Sequence, residues 1–573
     1  MEVHLVACRI WRPTGFVVVD FHPGLLDSYE NSLGTVESVS MRKLHIGIID
    51  VVSRGPTRAL YARVMNPNLA SIMPQVIGVW CREQGHDVSF ICYTGFEDLL
   101  TDLPSKVDLV FVGAFTESAH TAYALSNLLR SRGAITAIGG PHARCYPEDA
   151  QRYFDYVLGF TDRETIQDIL RECCPHRPVG IQIAARQQPK TLPGVRERWQ
   201  FIEPTLKTAP LIKIVPMLGS LGCPYTCSFC IDAAVPYQPL DFDGIQEDLR
   251  FLLTKFRRPM VAWHDPNFGV RFDDYLDVIE RAVPRGRIDF IAESSLSLLS
   301  EPHLERLKRN GFKALLPGIE SWFDLGNKSK TGAQIGMDKV RQIADHVNLI
   351  LRYVPYVQAN FVLGLDTDQG AEAFELTKRF LDLAPGTFPG YSLLTAFGRA
   401  APHNLDYQRA NRVLPFPFHF LNNNQAMNVR PRNYSWRDFY DHIIDLTGYS
   451  FSWKAIARRF RATRGLTARG MNVVRAISTE GLGRLRYHRD VRRRLDKDPQ
   501  FLPYFEQETT ELPRYYFDLV RKDLGLLWEW LPEGALDHDP NAYLKTEGVR
   551  IPPFRSVLDI ETGGQKNQAG DRL

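Results

Sequence analysis

Three of the chain's nine cysteines fall in one short segment, Gly219-Ser-Leu-Gly-Cys223-Pro-Tyr-Thr-Cys227-Ser-Phe-Cys230. Thiols gathered so tightly in a sequence of 573 residues point to a metal or a reaction, and their number narrows the choice. Disulfides consume thiols in pairs, and a structural zinc site closes on four ligands, usually as two separated pairs. Such a tight cluster reads as metal-binding or catalytic, which supports a metal at Cys223, Cys227 and Cys230. Zinc or inert thiols are the competing readings. The remaining cysteines, Cys8, Cys81, Cys92, Cys145, Cys173 and Cys174, have no such spacing and read as free and mostly buried.

The elements around this segment say what must position it. It directly follows a strand-like run, LIKIVPML at 211–218, and five more such runs come after it, at 259–265, 287–294, 312–321, 357–366 and 390–397. Amphipathic stretches such as PHLERLKRNG separate them. Six β/α repeats make most of a TIM-like barrel, a partial (β/α)6, and such barrels bind ligands where the C-terminal strand ends and helix N-termini converge. Upstream, short apolar runs (LHIGIID, DVSFICY, VDLVFVGAF, AITAIGG, YFDYVLG) alternate with helical patterns. That alternation predicts βαβ units and a doubly wound, flavodoxin- or Rossmann-like parallel sheet. The chain is thus expected to be α/β, with the doubly wound domain at 41–170, a Pro-punctuated linker at 171–205, the barrel at 206–440 and a mainly helical C-terminal extension at 441–573. Residues 1–40 have no clear period, and Met41 offers an alternative start.

A 44% hydrophobic, 24% charged composition is that of ordinary globular material with room for two or three cored domains. No window nears the roughly 18 apolar residues of a membrane span, and the first residues lack a secretory signal's pattern, so a cytoplasmic location and no transmembrane segment are expected. The net charge of +3 hides an asymmetry: between Lys454 and Lys497 fourteen Lys or Arg meet three acids, Glu480, Asp490 and Asp496. The plain reading is a solvated, partly helical surface. The sharper one is a face for an anionic or lipid-like small-molecule substrate, with peripheral membrane contact. Nucleic acid is the weakest reading, because no aromatic-interleaved RNA-binding motif accompanies the charge. Within the segment, WKAIARRFRAT patterns as an amphipathic helix with Ile456 and Phe460 inward and its arginines outward.

The Cys223-x3-Cys227-x2-Cys230 spacing, with an aromatic residue, Phe229, before the last cysteine, resembles the cluster-binding loop of the radical S-adenosylmethionine superfamily. The resemblance implies that the thiolates hold three irons of a 4Fe-4S cluster. The fourth iron would chelate S-adenosyl-L-methionine, whose reductive cleavage gives a 5′-deoxyadenosyl radical. An electron donor such as a flavodoxin or ferredoxin is implied with it. GIES, ending the fourth strand, resembles the ribose-binding edge, where Glu320 would accept hydrogen bonds from the sugar hydroxyls. NFVLGLDTD, from Asn360 to Asp368, resembles the fifth-strand segment that binds S-adenosylmethionine, with Asn360 and, flanking adenine, Val362 and Leu363. HDPNF, from His264 to Phe268, and AESS, from Ala292 to Ser295, stand where the superfamily has its DxxF and AExS patterns. AFGRAAP, from Ala396 to Pro402, replaces the PFPGT turn of many relatives, so substrate-side contacts do not carry over.

The segment from Val110 to Ala143, with Tyr153 to Ile166 after it and REQGHDV before it, resembles the cobalamin-binding domain fused to many radical S-adenosylmethionine enzymes. Thr116, Ser118 and the Gly139-Gly140 turn are its candidate contacts, hydroxyls for hydrogen bonds and glycines for close approach. None of His45, His86, His120 and His142 stands in an Asp-x-His-x-x-Gly motif, so no lower histidine ligand to cobalt is expected. A second departure is GFTDRE where GEGE is usual. On its own, GGPH reads equally as a tight turn with a surface histidine. These resemblances imply a cobalamin-dependent radical S-adenosylmethionine C-methyltransferase. The alternatives are radical rearrangement, cyclisation or oxidation without methylation, or a non-catalytic cluster or cobalamin sensor.

Overall fold

The computed structural model describes residues 42–102, 105–173, 180–185, 187–233, 235–323 and 334–540. Residues 1–40, Cys8 and Cys174 lie outside them. The first sheet comprises β1 (His45–Val51), β2 (Asp87–Tyr93), β3 (Leu109–Ala114), β4 (Ile135–Gly139), β5 (Tyr156–Leu158) and β6 (Ile181–Ile183). Its strands run in the order 2-1-3-4-5-6 with every pairing parallel. Residues 46–51 of β1 and 109–112 of β3 are continuously buried, as in strands covered by helices on both faces. The order reverses between β1 and β3, and at such a switch point a doubly wound sheet opens a crevice beyond its strand ends.

The span read as a linker carries more structure than expected. It supplies β6 and a 14-residue helix, Val195–Thr208, whose Val195, Phe201, Ile202 and Leu206 are buried. The three residues of β6 are too few to show a period, and the prolines around it mask it in the sequence.

The second sheet begins with β7 (Ile214–Met217). A two-residue antiparallel pair follows, β8 (Ser220–Leu221) with β9 (Gln238–Pro239). Then come β10 (Met260–Trp263), β11 (Asp289–Ala292), β12 (Phe312–Leu315), β13 (Gly318–Glu320), β14 (Tyr356–Leu363) and β15 (Phe388–Leu393). The parallel path is β7-β10-β11-β12-β14-β15, and β13 resumes the line of β12 to pair with the later part of β14. Pro317, which has no N–H to donate, stands in the break, and its carbonyl accepts from Asn360 N at 3.0 Å. These are the six expected barrel strands, with β7 and β15 as open edges. Along them burial alternates: Val261, Trp263, Phe290, Ala292, Ala359, Phe361 and Leu363 are buried, whereas Met260, Ala262, Ile291, Gln358, Asn360 and Val362 are partly exposed. The period of two separates an outer face packed on helices from an inner face lining an open lumen.

Helices Trp436–Ser450, Trp453–Ala462, Leu466–Ile477 and Leu482–Lys497 follow. Ser435 and Ser452 cap the first two by accepting from Asp438 N and Ala455 N. The expected orientation of the basic helix is half right. Ile456 is buried, but Phe460 is 40% exposed and Arg459 only 4%, because the Arg459 guanidinium satisfies the carbonyls of Thr387 and Ser450 at 2.9 Å each. Arg492, Arg493 and Arg494 pair with Asp441, Asp490, Asp496 and Asp498, so much of the local charge is neutralised. No helix among the described residues is long and apolar enough to cross a membrane.

Candidate cofactor-binding site

The cysteine loop is closed at its base and anchored at its tip. Ser220 pairs with Pro239 and Leu221 with Gln238, and Cys223 N donates to Val235 O at 3.3 Å. Gly222 has φ +67°, and a Cβ there would collide with the Pro236 carbonyl, so only glycine fits. Within the loop, Cys230 N donates to Cys227 O at 2.8 Å, which folds the last two thiols into one tight turn. The amide of Asp232 donates to Cys230 Sγ at 3.4 Å, a contact that favours the thiolate. Tyr225 OH lies 2.9 Å from Ser297 Oγ beyond β11. Cys223 is 8% exposed, and Cys227, Phe229 and Cys230 are half-buried. Among the described residues no three His, Cys, Asp or Glu side chains converge to hold a single ion. Thiolates that each bind a different iron of a cuboidal cluster need not share one point, so the donor set still fits such a cluster.

Asp265, two residues after β10, ties this loop to the barrel. Its buried carboxylate accepts from Gly219 N at 2.9 Å and Ser220 Oγ at 2.6 Å. Burial pushes its pKa up to about 6, against the lowering effect of these bonds. Asn267 continues the tie to β11 by accepting from Ser295 N at 2.9 Å. HDPNF and AESS are therefore the joints of the loop's foundation, a role their positions alone did not reveal.

Further around the lumen, Glu320 has φ +66°, a conformation costly for a residue with a Cβ. Its carboxylate folds back over Gly318, where any side chain would strike it. Gly318 is the cross-strand partner of Asn360, and Asn360 in turn partners Gly390. Glu320 and Asn360 thus meet at one level of the lumen between two glycines. Val362 shares their face. Leu363 does not: it is 3% exposed on the outer, helix-covered face, because successive strand residues point oppositely.

At the first sheet, Thr116 and Ser118 form a short turn after β3, and Gly139 and Gly140 follow β4. Ser118 Oγ is buried without a hydrogen-bond partner. A Cβ on Gly139 would meet nothing closer than Leu158 Cβ at 3.7 Å. An orphaned buried hydroxyl fits a ligand that brings its own polar group, and Gly139 could take a Cβ without a clash. Gly140 is glycine for another reason: its φ is +95°, and a Cβ would press on Ala114 O at 2.9 Å. C-terminal segments roof these strand ends, with Asn422 Nδ2 donating to Glu117 at 2.8 Å and the Ala535 carbonyl 3.1 Å from His120 Nε2.

His142 of the GGPH turn is fully buried, not a surface residue. Its Nε2 lies 2.7 Å from Tyr123 OH, which donates to Asp149 at 2.6 Å. Two residues on, Arg144 leaves the first sheet for the cysteine loop, reaching Ile231 O at 2.8 Å and Asp232 at 3.1 Å. The AFGRAAP turn docks on the same segment, Tyr146 OH donating to Ala396 O at 2.9 Å and Arg399 pairing with Glu148 at 2.8 Å, and just after the turn His403 N donates to Ser228 O of the cysteine loop at 3.0 Å. The two sheets therefore turn their ligand-binding ends toward one cysteine loop.

No family model matches the sequence. The chain is 22% identical over 317 residues to the bacteriochlorophyllide d C-12(1)-methyltransferase of Chlorobaculum tepidum, covering 54% of this chain and 68% of that protein. It is 24% identical over 234 residues to the bacteriochlorophyllide d C-8(2)-methyltransferase of the same organism, covering 37% and 50%. Among solved structures, apo cobalamin-dependent S-adenosylmethionine radical enzyme OxsB superposes with a TM-score of 0.53 at 12% identity, over 86% of this chain and 80% of that one. The chain has the fold of a cobalamin-dependent radical S-adenosylmethionine enzyme. The contacts of Arg144 and Asp265 were not legible in the sequence, because Asp232 and Gly219 stand 88 and 46 positions away from them.

Proposed function

We propose that the protein is a cobalamin-dependent radical S-adenosylmethionine C-methyltransferase acting on a small-molecule substrate. The observation that carries this reading is the Cys223, Cys227, Cys230 loop, fixed at the mouth of the open barrel and bound through Arg144 to the turn that follows β4. When bound, the cluster with S-adenosylmethionine supplies a hydrogen-abstracting radical, and cobalamin supplies the methyl group. The chain's own part is to hold and orient. Cys223, Cys227 and Cys230 ligate, and Phe229 lies on the S-adenosylmethionine side of the loop. Glu320 accepts from the ribose, and Asn360 and Val362 line the nucleoside's side of the lumen, with Leu363 contributing backbone only. Thr116, Ser118, Gly139 and Gly140 receive the cobalamin. The similarity to two curated methyltransferases supports methyl transfer over the other radical outcomes, and a flavodoxin or ferredoxin would serve as electron donor.

The test is anaerobic reconstitution with iron, sulfide and cobalamin. Cys223→Ala, Cys227→Ala and Cys230→Ala should each abolish the brown cluster absorbance and the release of 5′-deoxyadenosine, whereas Cys173→Ala, buried elsewhere, should leave both intact. Full iron content in any of the first three would refute the ligand assignment. Bound cob(II)alamin should show no nitrogen-split paramagnetic resonance signal from a protein histidine. Failure to bind cobalamin at all would leave only the non-methylating chemistry.

A further inference from the structure

Asn360 belongs to a hydrogen-bonded line that starts outside the barrel. Arg475, on the helix Leu466–Ile477, reaches the open side of the lumen and donates from Nη1 to Gln358 Oε1 at 2.5 Å and to Tyr356 OH at 2.6 Å. Its Nε and Nη2 are held by Glu480, which also receives Tyr61 OH from the helix after β1. Gln358 Nε2 then donates to Asn360 Oδ1 at 2.7 Å. Both amides lie against Gly390 on β15, where a Cβ would strike Asn360 Oδ1 and approach Gln358 Nε2 to 2.8 Å.

The chemistry of the groups gives this line a direction. A guanidinium can only donate, so the Gln358 oxygen must face it and the Gln358 NH2 must face onward. That NH2 can only donate, so Asn360 must answer with its oxygen, and the Asn360 NH2 is left pointing along the lumen wall, toward Leu316 O at 3.5 Å. We propose that Arg475, acting through Gln358, is a positioning residue that sets Asn360 as a hydrogen-bond donor beside the Glu320 acceptor, so that this level of the lumen recognises a ligand presenting an acceptor atom to Asn360. The proposal rests on Asn360 contacting S-adenosylmethionine, and it assigns the polarity of that contact.

Gln358→Glu inverts the polarity while keeping the Arg475 contact. The substituted carboxylate still pairs with the guanidinium but cannot donate to Asn360, whose amide must then turn its NH2 toward that carboxylate and its oxygen toward the ligand. S-adenosylmethionine affinity, measured by calorimetric titration of cluster-loaded protein, should fall about tenfold in Gln358→Glu and in Asn360→Ala. Melting temperature and cluster absorbance should stay at wild-type values in Gln358→Glu, which a merely structural role for the line would not allow. Arg475→Lys, which keeps a donor-only group, should retain most of the affinity, and Arg475→Met should not. Wild-type affinity in Gln358→Glu together with weakened Asn360→Ala would overturn the relay and leave the contact standing. Wild-type affinity in Asn360→Ala would remove the contact itself and the relay with it. If Gln358→Glu does not fold, the Arg475 pair decides the same question.

Discussion

At the level of single residues, the cysteines are only as useful as the groups that hold their loop, and Asp265 is the chief of these. Its carboxylate satisfies a buried amide and a buried hydroxyl at once. Asp265→Ala strands both, a loss of about 2 kcal/mol, and should appear as a lower urea midpoint and reduced iron loading. Asp265→Asn keeps one acceptor and should lie between that variant and the wild type. Glu320 is held in a left-handed conformation for the sake of where its carboxylate lands. Glu320→Gly should therefore relieve backbone strain and maintain or raise the melting temperature, while S-adenosylmethionine affinity drops at least about tenfold. Equal affinity would remove Glu320 from the binding surface.

Between elements, two glycines separate structural need from ligand need. Gly222 closes the cysteine loop at φ +67° against the Pro236 carbonyl, so Gly222→Ala should distort the loop and cut iron incorporation while the barrel strands stay folded, as read by circular dichroism. Gly139, by contrast, has room for a methyl group. Gly139→Ala should leave the unfolding free energy within about 0.5 kcal/mol of wild type, yet weaken cobalamin retention on gel filtration if the cofactor lies over that strand end. Unchanged retention would move the cobalamin contact away from β4. The alternation along β14 separates Asn360 and Val362 from Leu363, which the resemblance groups with them. The position of Pro317 explains why the fourth barrel strand is built in two pieces.

Across the whole molecule, the first sheet meets the C-terminal segments through buried histidines. His120, His142, His419 and His538 gather around Phe418, and burial pushes His142 down to about 3 and His419 and His538 down to about 4. A histidine whose folded pKa lies below its unfolded value near 6.5 contributes its full stability above that value, and loses it as pH falls toward the folded one. Asp149 at the same junction is raised by burial and opposes this in part, whereas Asp523, lowered by His419 and Arg54, loses its contribution only below the usual carboxylate range. Asp50, Asp248 and Asp265, each pushed up to about 6, act with the opposite sign but lie elsewhere. Between pH 7.5 and 5, hydrogen exchange should therefore rise in residues 418–425 while β10 and β11 stay protected. Equal protection at both pH values would contradict the neutral-histidine junction.

The cysteine spacing, the six barrel strands and the first five strands of the doubly wound sheet were all legible in the chain, because each is recorded in residues that are neighbours along it. What lies between those elements was not. Arg475 finds Gln358 across 117 positions, and Arg144 finds Asp232 across 88. Arg459, one of a run that reads as outward-facing, is drawn inside by carbonyls that only the packed barrel leaves exposed. The periodicity of a strand or helix is a local property, so sequence alone determined the framework and the thiol loop within it. The partners of a guanidinium or a buried imidazole are chosen by whichever acceptor the assembled layers leave nearest, and only the tertiary structure decided those.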